Sequence, residues 1–316
     1  MRSNTLLSLA LGALTPALSL AQTKGFNYGS TNSAGACRYY EDFAALFNAA
    51  KTLPGTNGFT SARLYTTVQC GTPNAPISAI QAAIDTDTQL LLGLWASAGD
   101  AVFNDEIAAL TAAIAQYGTA FTDRVVGISV GSEDLYRSSP QGVANNAGVG
   151  VNADVIIRYI NQLRGAIANT PLAGKPVGHV DTWTAWILSE NAGVAGAVDW
   201  LGHNSFPYFE TTQPDNSIEQ SYGLFYNAVG ATESVSQGKE VWVTETGWPT
   251  VGATRGQAVA SIPNAETYWK SVGCSLFGNR NTWWYTLQDS NANQQEISFG
   301  ILGGNGLPQY DLTCPA

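Results

Sequence analysis

Positive charge is scarce in this sequence. Its 316 residues contain 14 Lys and Arg against 24 Asp and Glu, for a formal net charge of −10. Nucleic-acid binding depends on clustered cations, so we expect no nucleic-acid partner. The 9 Trp and 13 Tyr instead provide flat aromatic faces of the kind that pack on sugar rings.

Metal-binding patterns are also missing. The sequence has only 2 histidines, His179 and His203, in separate apolar runs, and it has no Cys-x-x-Cys or His-x-x-x-His spacing. Protein metal sites usually need such spacings. We therefore interpret both histidines as hydrogen-bonded strand residues and expect no metal and no other cofactor.

Long apolar runs are confined to the start of the chain. Residues 1–21 combine an early Arg2, an apolar run and a small-residue ending, which is typical of a secretory signal peptide. The run is broken by Gly12, Thr15 and Pro16, so it is too short for a membrane span. No Pro/Gly/Ser-rich linker divides the rest, and we predict one catalytic domain over residues 22–316.

Short apolar runs that end in polar or aromatic residues recur along the mature chain. They begin at Gly25, Ser61, Gln89, Val125, Pro176, Asp199, Glu240 and Asn281. Segments with helical periodicity lie between them, over 40–53, 104–117, 152–168, 218–235 and 265–276. This alternation predicts parallel strands with right-handed crossovers, and hence an α/β fold, a single (β/α)8 TIM barrel. A doubly wound open sheet is the alternative, but no Gly-x-Gly-x-x-Gly follows the first strand.

Polar and aromatic side chains gather at the carboxyl ends of the predicted strands, where TIM barrels carry their active sites. They are Tyr28, Arg63, Tyr65, Trp95, Glu133, Asp134, Asp181, Trp183, Asn204, Glu245, Trp248 and Asp289.

Two of these residues are glutamates at opposed strand ends. Glu133 closes the fourth run and Glu245 ends the seventh, so their carboxyl groups should face each other across the barrel mouth. Such a pair is typical of glycosidases, in which one carboxyl group donates a proton to the leaving oxygen. The other carboxyl group attacks the anomeric carbon or activates a water molecule. The alternative for Glu133 is a surface ion pair with Arg137.

The segments VGSEDLYR (130–137) and VTETGWPT (243–250) resemble glycoside hydrolase family 17, in particular its fungal cell-wall endo-β-1,3-glucanases. Other strand ends of that family appear in order, as GFNYG from Gly25, SARLY from Ser61, DTW from Asp181 and the segment from Asn204 to Phe209. The resemblance implies a retaining enzyme for β-1,3-glucan, with Glu133 as acid/base and Glu245 as nucleophile.

We expect ten further side chains to contact the glucan. They are Tyr28, Arg63, Tyr65, Ser132, Asp181, Trp183, Asn204, Tyr208, Trp248 and Asp289. Among these, Trp183 and Trp248 are predicted to stack on glucose rings. Because successive strand residues face opposite sides, one of the neighbouring Trp283 and Trp284 is expected to pack outward under the helices and the other to reach the mouth.

Three positions depart from the family pattern. Ser132 stands where plant relatives have Asn before the acid/base, and Thr286 stands where many relatives have a strand-eight glutamate. Phe206 replaces a Tyr that would support the nucleophile, and Tyr208 is the candidate substitute.

Three functions remain open: an endo-β-1,3-glucan hydrolase, a β-1,3-glucanosyltransferase with the same two glutamates, and a non-catalytic glucan-binding wall protein. The binding protein is the least favoured, because it has no use for two opposed carboxylates. We favour the hydrolase over the transferase, although the two share every catalytic residue and differ only in whether water or an acceptor sugar attacks the intermediate.

The 4 cysteines of an exported chain predict disulfides. In an eight-unit barrel, Cys37 and Cys70 lie on neighbouring loops after the first two strands, and Cys274 and Cys314 lie near the barrel closure. We therefore predict the pairs Cys37–Cys70 and Cys274–Cys314. We also expect a secreted monomer, extracellular or loosely held at the cell wall, because the chain ends without the apolar tail of a lipid anchor.

Overall fold

The structure, a computed structural model, describes residues 22–290 and 296–315. The predicted signal peptide, residues 1–21, lies outside them. Eight parallel strands close into a barrel in the order of the chain, which confirms the predicted TIM barrel. They are β1 (Lys24–Tyr28), β2 (Ser61–Leu64), β3 (Gln89–Leu94), β4 (Val125–Ser132), β5 (Val177–Thr182), β6 (Trp200–Asn204), β7 (Glu240–Glu245) and β8 (Thr282–Trp284).

α-Helices connect the strands, and most of them cover the outside of the barrel. In the part of the chain that the structure describes they are α1 (Tyr40–Lys51), α2 (Ala79–Asp85), α3 (Asp100–Tyr117), α4 (Thr119–Thr122), α5 (Asp134–Ser138), α6 (Pro140–Ala144), α7 (Ala153–Ile167), α8 (Trp183–Trp186), α9 (Ala192–Ala197), α10 (Ser221–Val235), α11 (Ile262–Tyr268) and α12 (Cys274–Leu276). A π-helical turn, Trp269–Gly273, joins the last two. None of these helices is long and apolar enough to cross a membrane.

Strand residues alternate between the barrel interior and the helix-covered side. Inside the barrel, the rings of Trp200 and Trp242 stack with centroids 4.1 Å apart, and Trp283 packs beside them. A side chain at Gly178 would meet the Trp200 ring at 2.3 Å, so only glycine fits there. The interior is therefore a packed plug, and a ligand can bind only above it.

The plug corrects one prediction about the eighth strand. Trp283 is fully buried inside the barrel and Trp284 packs under the helices, so neither reaches the mouth. In other TIM barrels this space is filled by smaller side chains in three layers of four.

Two disulfides fasten the loops and the C-terminal segment, with the predicted pairing. Cys37–Cys70 joins the loops after β1 and β2, and Cys274–Cys314 joins α12 to the end of the chain. The Cα atoms of each pair are 5.4 Å apart. Residues of the loop around Cys70 line the cleft at the barrel mouth, so the first bond supports one wall of that cleft.

Candidate active site

A cleft of about 1290 Å³ opens at the carboxyl ends of the strands. Loops after all eight strands contribute to its walls. Both glutamates, Glu133 and Glu245, lie in it. Its aromatic lining consists of Tyr65, Trp95, Tyr136, Trp183, Phe206, Phe209, Tyr285 and Phe299. Aromatic walls around two carboxyl groups suit a ligand with apolar ring faces and polar edges.

Glu245 is held by a buried arginine. It ends β7 with 10% of its side chain exposed, and its Oε1 lies 2.6 Å from Arg63 Nη1. Arg63 is itself fully buried and also donates to Asn27 Oδ1 at 2.7 Å. A guanidinium fixed in this way orients the carboxylate and leaves little of it free except on the cleft side.

Two tyrosines flank the Glu245 carboxylate. The guanidinium carbon of Arg63 lies 4.7 Å from the centre of the Tyr65 ring. Burial first, and then the negative charge of Glu245, raise the pKa of both Tyr65 and Tyr285 above the ordinary value of 10. Both hydroxyls therefore stay protonated and can donate a hydrogen bond toward the nucleophile or the sugar.

Glu133 occupies the opposite side of the cleft floor. It follows β4 in a left-handed backbone conformation, with φ of 61°. Asn204 Nδ2 donates to its Oε1 at 3.0 Å, and Arg137 Nη2 lies 3.8 Å from its Oε2. The Arg137 pair considered from the sequence thus exists, but it does not remove Glu133 from the cleft.

The pKa of Glu133 is raised to about 7. Burial is the main cause and the negative charge of Glu245 adds to it, whereas Arg137 and the hydrogen bond from Asn204 act in the opposite direction. A carboxyl group that keeps its proton near neutral pH is what a general acid needs.

Arg63 also connects the two sides of the site. Its Nη2 donates to Ser132 Oγ at 2.9 Å, directly before Glu133 in the chain. The short side chain at position 132, which departs from the plant pattern, is therefore bound to the same arginine that holds Glu245.

Several predicted contacts lie elsewhere. Tyr28 and Asp181 face the helices rather than the cleft: the Tyr28 ring packs against Phe47, and Asp181 is fully buried. Successive residues of a strand point to opposite sides. Tyr28 follows the inward-facing Asn27 and Asp181 follows the inward-facing Val180, so both side chains point outward and both predictions failed. The Arg63 side chain points into the barrel, but it is fully buried, so it contacts Glu245 and does not line the cleft.

Three further predictions about loop residues are wrong. Tyr208 is buried and donates its hydroxyl proton to the carbonyl of Ala253, so it does not support the nucleophile. Trp248 is 2% exposed and its indole donates to the Val259 carbonyl at 3.0 Å. Asp289 accepts from Ser298 and from backbone groups of the loop that follows.

The remaining predicted contacts do line the cleft: Tyr65, Ser132, Trp183 and Asn204. Sequence reasoning missed Tyr285 and Glu210. Tyr285 could have been found by counting two residues on from the inward-facing Trp283. No sequence signal identifies Glu210, whose Oε1 accepts a hydrogen bond from Trp183 Nε1 at 2.6 Å.

Residues 25–301 match the profile of the BtgE/BtgC glycoside hydrolase domain. The chain belongs to this glycoside hydrolase family. A protein of Aspergillus fumigatus named probable glucan endo-1,3-β-glucosidase is 55% identical over 318 residues, covering 100% of this chain and 70% of the relative. An Aspergillus oryzae protein of the same name is 53% identical over 304 residues, 96% of this chain and 65% of the relative. The chain thus spans about two thirds of the length of these relatives.

The resemblance to family 17 is confirmed by a solved structure. The glycoside hydrolase family 17 β-1,3-glucanosyltransferase of Rhizomucor miehei is 26% identical, with a TM-score of 0.71 over 92% of this chain and 97% of that one. The resemblance recognised at the two glutamate segments therefore extends to the whole barrel.

Proposed function

We propose that this glycoside hydrolase cleaves internal linkages of β-1,3-glucan with retention of configuration. The observation that carries the proposal is the pair of opposed glutamates in one aromatic cleft: Glu133 with its raised pKa, and Glu245 bound to a buried arginine. The substrate follows from the relatives named glucan endo-1,3-β-glucosidases, which are up to 55% identical to the chain.

In the first step, Glu245 Oε attacks the anomeric carbon while Glu133 gives its proton to the glycosidic oxygen. The carbon–oxygen bond breaks, the leaving sugar departs with that proton, and a glycosyl ester remains on Glu245. Arg63 pairs with Glu245 through Oε1, which leaves the other oxygen available for attack.

In the second step, Glu133 is ionised and takes a proton from a water molecule. The water oxygen attacks the same carbon, the ester bond to Glu245 breaks, and Glu133 regains its proton. Two inversions give net retention. Asn204 donates to Glu133 Oε1 and accepts from Thr244 Oγ1 at 2.8 Å, so it holds the acid/base in place through both steps.

The shape of the cleft supports internal cleavage. Its lining runs from the loop at Cys70 to Pro73 on one side to Thr211, Thr212 and Arg255 on the other. A groove that crosses the barrel mouth accepts the middle of a chain, whereas an exo-acting enzyme closes one end of its site.

A β-1,3-glucanosyltransferase is the second candidate, because the similar structure from Rhizomucor miehei is that of a β-1,3-glucanosyltransferase. The two functions share the first step and differ in whether water or a second glucan attacks the ester. Laminaripentaose, followed by chromatography and by NMR of the newly formed anomeric centre, tests both. Shorter β-configured products support the hydrolase, products longer than five sugars support the transferase, and an α-configured first product would contradict retention.

We also propose that the protein is exported and acts outside the cell as a monomer. Two disulfides support an oxidising, extracellular environment. N-terminal sequencing of the exported protein tests cleavage after residue 21, and sedimentation velocity tests the monomer.

A further inference from the structure

Two buried side chains of β5, His179 and Asp181, lie behind Glu133 and take no part in the steps above. Both are fully buried. They face the helices, while Val180 between them faces the barrel interior. Their contacts lead to the backbone on both sides of Glu133.

Asp181 binds the start of α5, the helix that begins directly after Glu133. Its Oδ2 accepts from Leu135 N at 2.9 Å, and its Oδ1 accepts from Tyr136 N at 3.2 Å and from Thr182 N at 2.8 Å. These backbone groups can only donate, and the two carboxyl oxygens of Asp181 supply their acceptors. Negative charge at a helix N-terminus is also favoured by the helix dipole.

His179 connects Asp181 to the strand that leads into Glu133. Its Nδ1 lies 2.6 Å from the carbonyl oxygen of Val130, and its Nε2 lies 3.0 Å from Asp181 Oδ2. A carbonyl and a carboxylate both accept, so both ring nitrogens carry protons and the imidazole is a cation. Burial opposes this charge, but the hydrogen bond and charge of Asp181, with the charge of Asp134, outweigh it and raise the pKa of His179.

The backbone held in this way is a strained turn. The register of β4 against β5 shifts between Ser129 and Ser132, and Gly131 has φ of 79°. A side chain at Gly131 would come within 2.0 Å of Asp134 Oδ2. Glu133 itself has φ of 61°, a left-handed conformation that is unfavourable for a residue with a side chain. The surrounding contacts must hold such a turn in place.

We propose that His179 and Asp181 are positioning residues for the proton donor, and that together they fix the turn that directs the Glu133 carboxyl at the glycosidic oxygen. His179 holds the chain three residues before Glu133, and Asp181 holds it two and three residues after. The inference rests on the proposed function, in which Glu133 is the acid.

A test compares two substrates on the same enzyme preparation. Laminari-oligosaccharides have a poor leaving group and need the proton of Glu133, whereas a dinitrophenyl β-laminaribioside has a leaving group that needs none. The value of kcat/KM reports formation of the glycosyl-enzyme for both. In His179→Gln and Asp181→Asn, kcat/KM for the oligosaccharide should fall about 10- to 100-fold, while that for the aryl substrate changes little.

The ratio of the two kcat/KM values does not depend on the fraction of folded enzyme, so a variant that folds poorly still gives an answer. His203→Gln is the matched control: His203 is the other buried strand histidine, bound to Thr232 Oγ1 at 2.9 Å, and its replacement should leave the ratio unchanged. Equal losses on both substrates in His179→Gln and Asp181→Asn would overturn the inference.

Glu133→Gln serves as the reference and separates the inference from the proposed function. A large change of the ratio in Glu133→Gln, with none in the other two variants, defeats only the role of His179 and Asp181. No change of the ratio in Glu133→Gln defeats the assignment of Glu133 as the acid.

Discussion

At the scale of single residues, Glu133 combines two unfavourable features, a left-handed backbone and a carboxyl group close to another carboxylate. Its pKa of about 7 follows from that placement. Features of this kind persist at functional sites because the surrounding structure holds them in place.

The first prediction concerns the pH dependence of catalysis. Glu133 must be protonated to act as the acid, so kcat/KM for laminari-oligosaccharides should fall as the pH rises through about 7. In Glu133→Gln, assayed with an aryl substrate of good leaving group, this fall should disappear. If the fall persists in Glu133→Gln, the ionisation of a different group causes the loss of activity at high pH.

The second prediction concerns stability. The pKa of Glu133 rises from an ordinary 4.5 to about 7 on folding, so the folded state binds this proton more tightly than the unfolded state. The free energy of unfolding that this group contributes is therefore lost as the pH rises from 4.5 to about 7. Glu133→Gln removes the ionisable group, so its advantage in melting temperature over the wild type should grow across this window and then level off. A constant difference at every pH would contradict the raised pKa.

The third prediction separates two tryptophans that the sequence presents as equivalent. Trp183 lines the cleft, so Trp183→Ala should weaken laminari-oligosaccharide binding by roughly 1–3 kcal/mol, by analogy with other stacking platforms, with little effect on the melt. Trp248 is 2% exposed, so Trp248→Ala should destabilise the fold by about 3–5 kcal/mol. Calorimetric titration and thermal melts of both variants check this, and a large melt shift in Trp183→Ala would contradict it.

At the scale of the elements, the sequence predicted the strands well, because buried parallel strands are short apolar runs that end in polar residues. The predicted strand starts at Ser61, Gln89, Val125 and Glu240 coincide with the observed ones. The two glutamates were also found this way, since each is the polar residue that closes such a run.

The sequence was less informative about which way a side chain points at a strand end. Register shifts between Ser129 and Ser132, and between His203 and Asn204, change the inward and outward alternation where the site is built. After the strand ends, no periodicity remains, so the burial of Trp248 could not be read from its position. The backbone groups that donate hydrogen bonds to Asp289 belong to Phe299 and Gly300, in a later part of the chain that packs back against it.

The fourth prediction concerns the disulfide at the cleft wall. Cys37→Ser/Cys70→Ser opens a loop of sequence separation 33, and Cys274→Ser/Cys314→Ser one of 40, so each pair should lose a similar free energy of unfolding, about 3–4 kcal/mol. Only the first pair borders the cleft, so it alone should raise KM for long laminari-oligosaccharides. Equal KM values in the two variants, measured well below their melting temperatures, would contradict a role of this loop in binding.

In the molecule as a whole, the residues that stabilise the barrel are largely separate from those that form the active site. Tryptophans plug the interior and the helices bury the outer faces of the strands, while the loops at the carboxyl ends form the cleft. Arg63 extends from the packed barrel interior and donates hydrogen bonds to Glu245 and Ser132. It thereby links both sides of the site to the barrel. Glu245 is the last residue of β7, and Glu133 lies in the turn that directly follows β4.

Covalent trapping of the nucleophile tests whether Glu245 forms the glycosyl-enzyme. In a 2-deoxy-2-fluoro-β-laminaribiosyl fluoride, the 2-fluoro group slows both steps, while the fluoride leaving group keeps the first step faster than the second. The glycosyl-enzyme should therefore accumulate, and mass spectrometry of its peptides can locate it. We expect one added 2-deoxy-2-fluorolaminaribiosyl group per chain, on Glu245. A label on Glu133 or on any other residue would rule out Glu245 as the nucleophile.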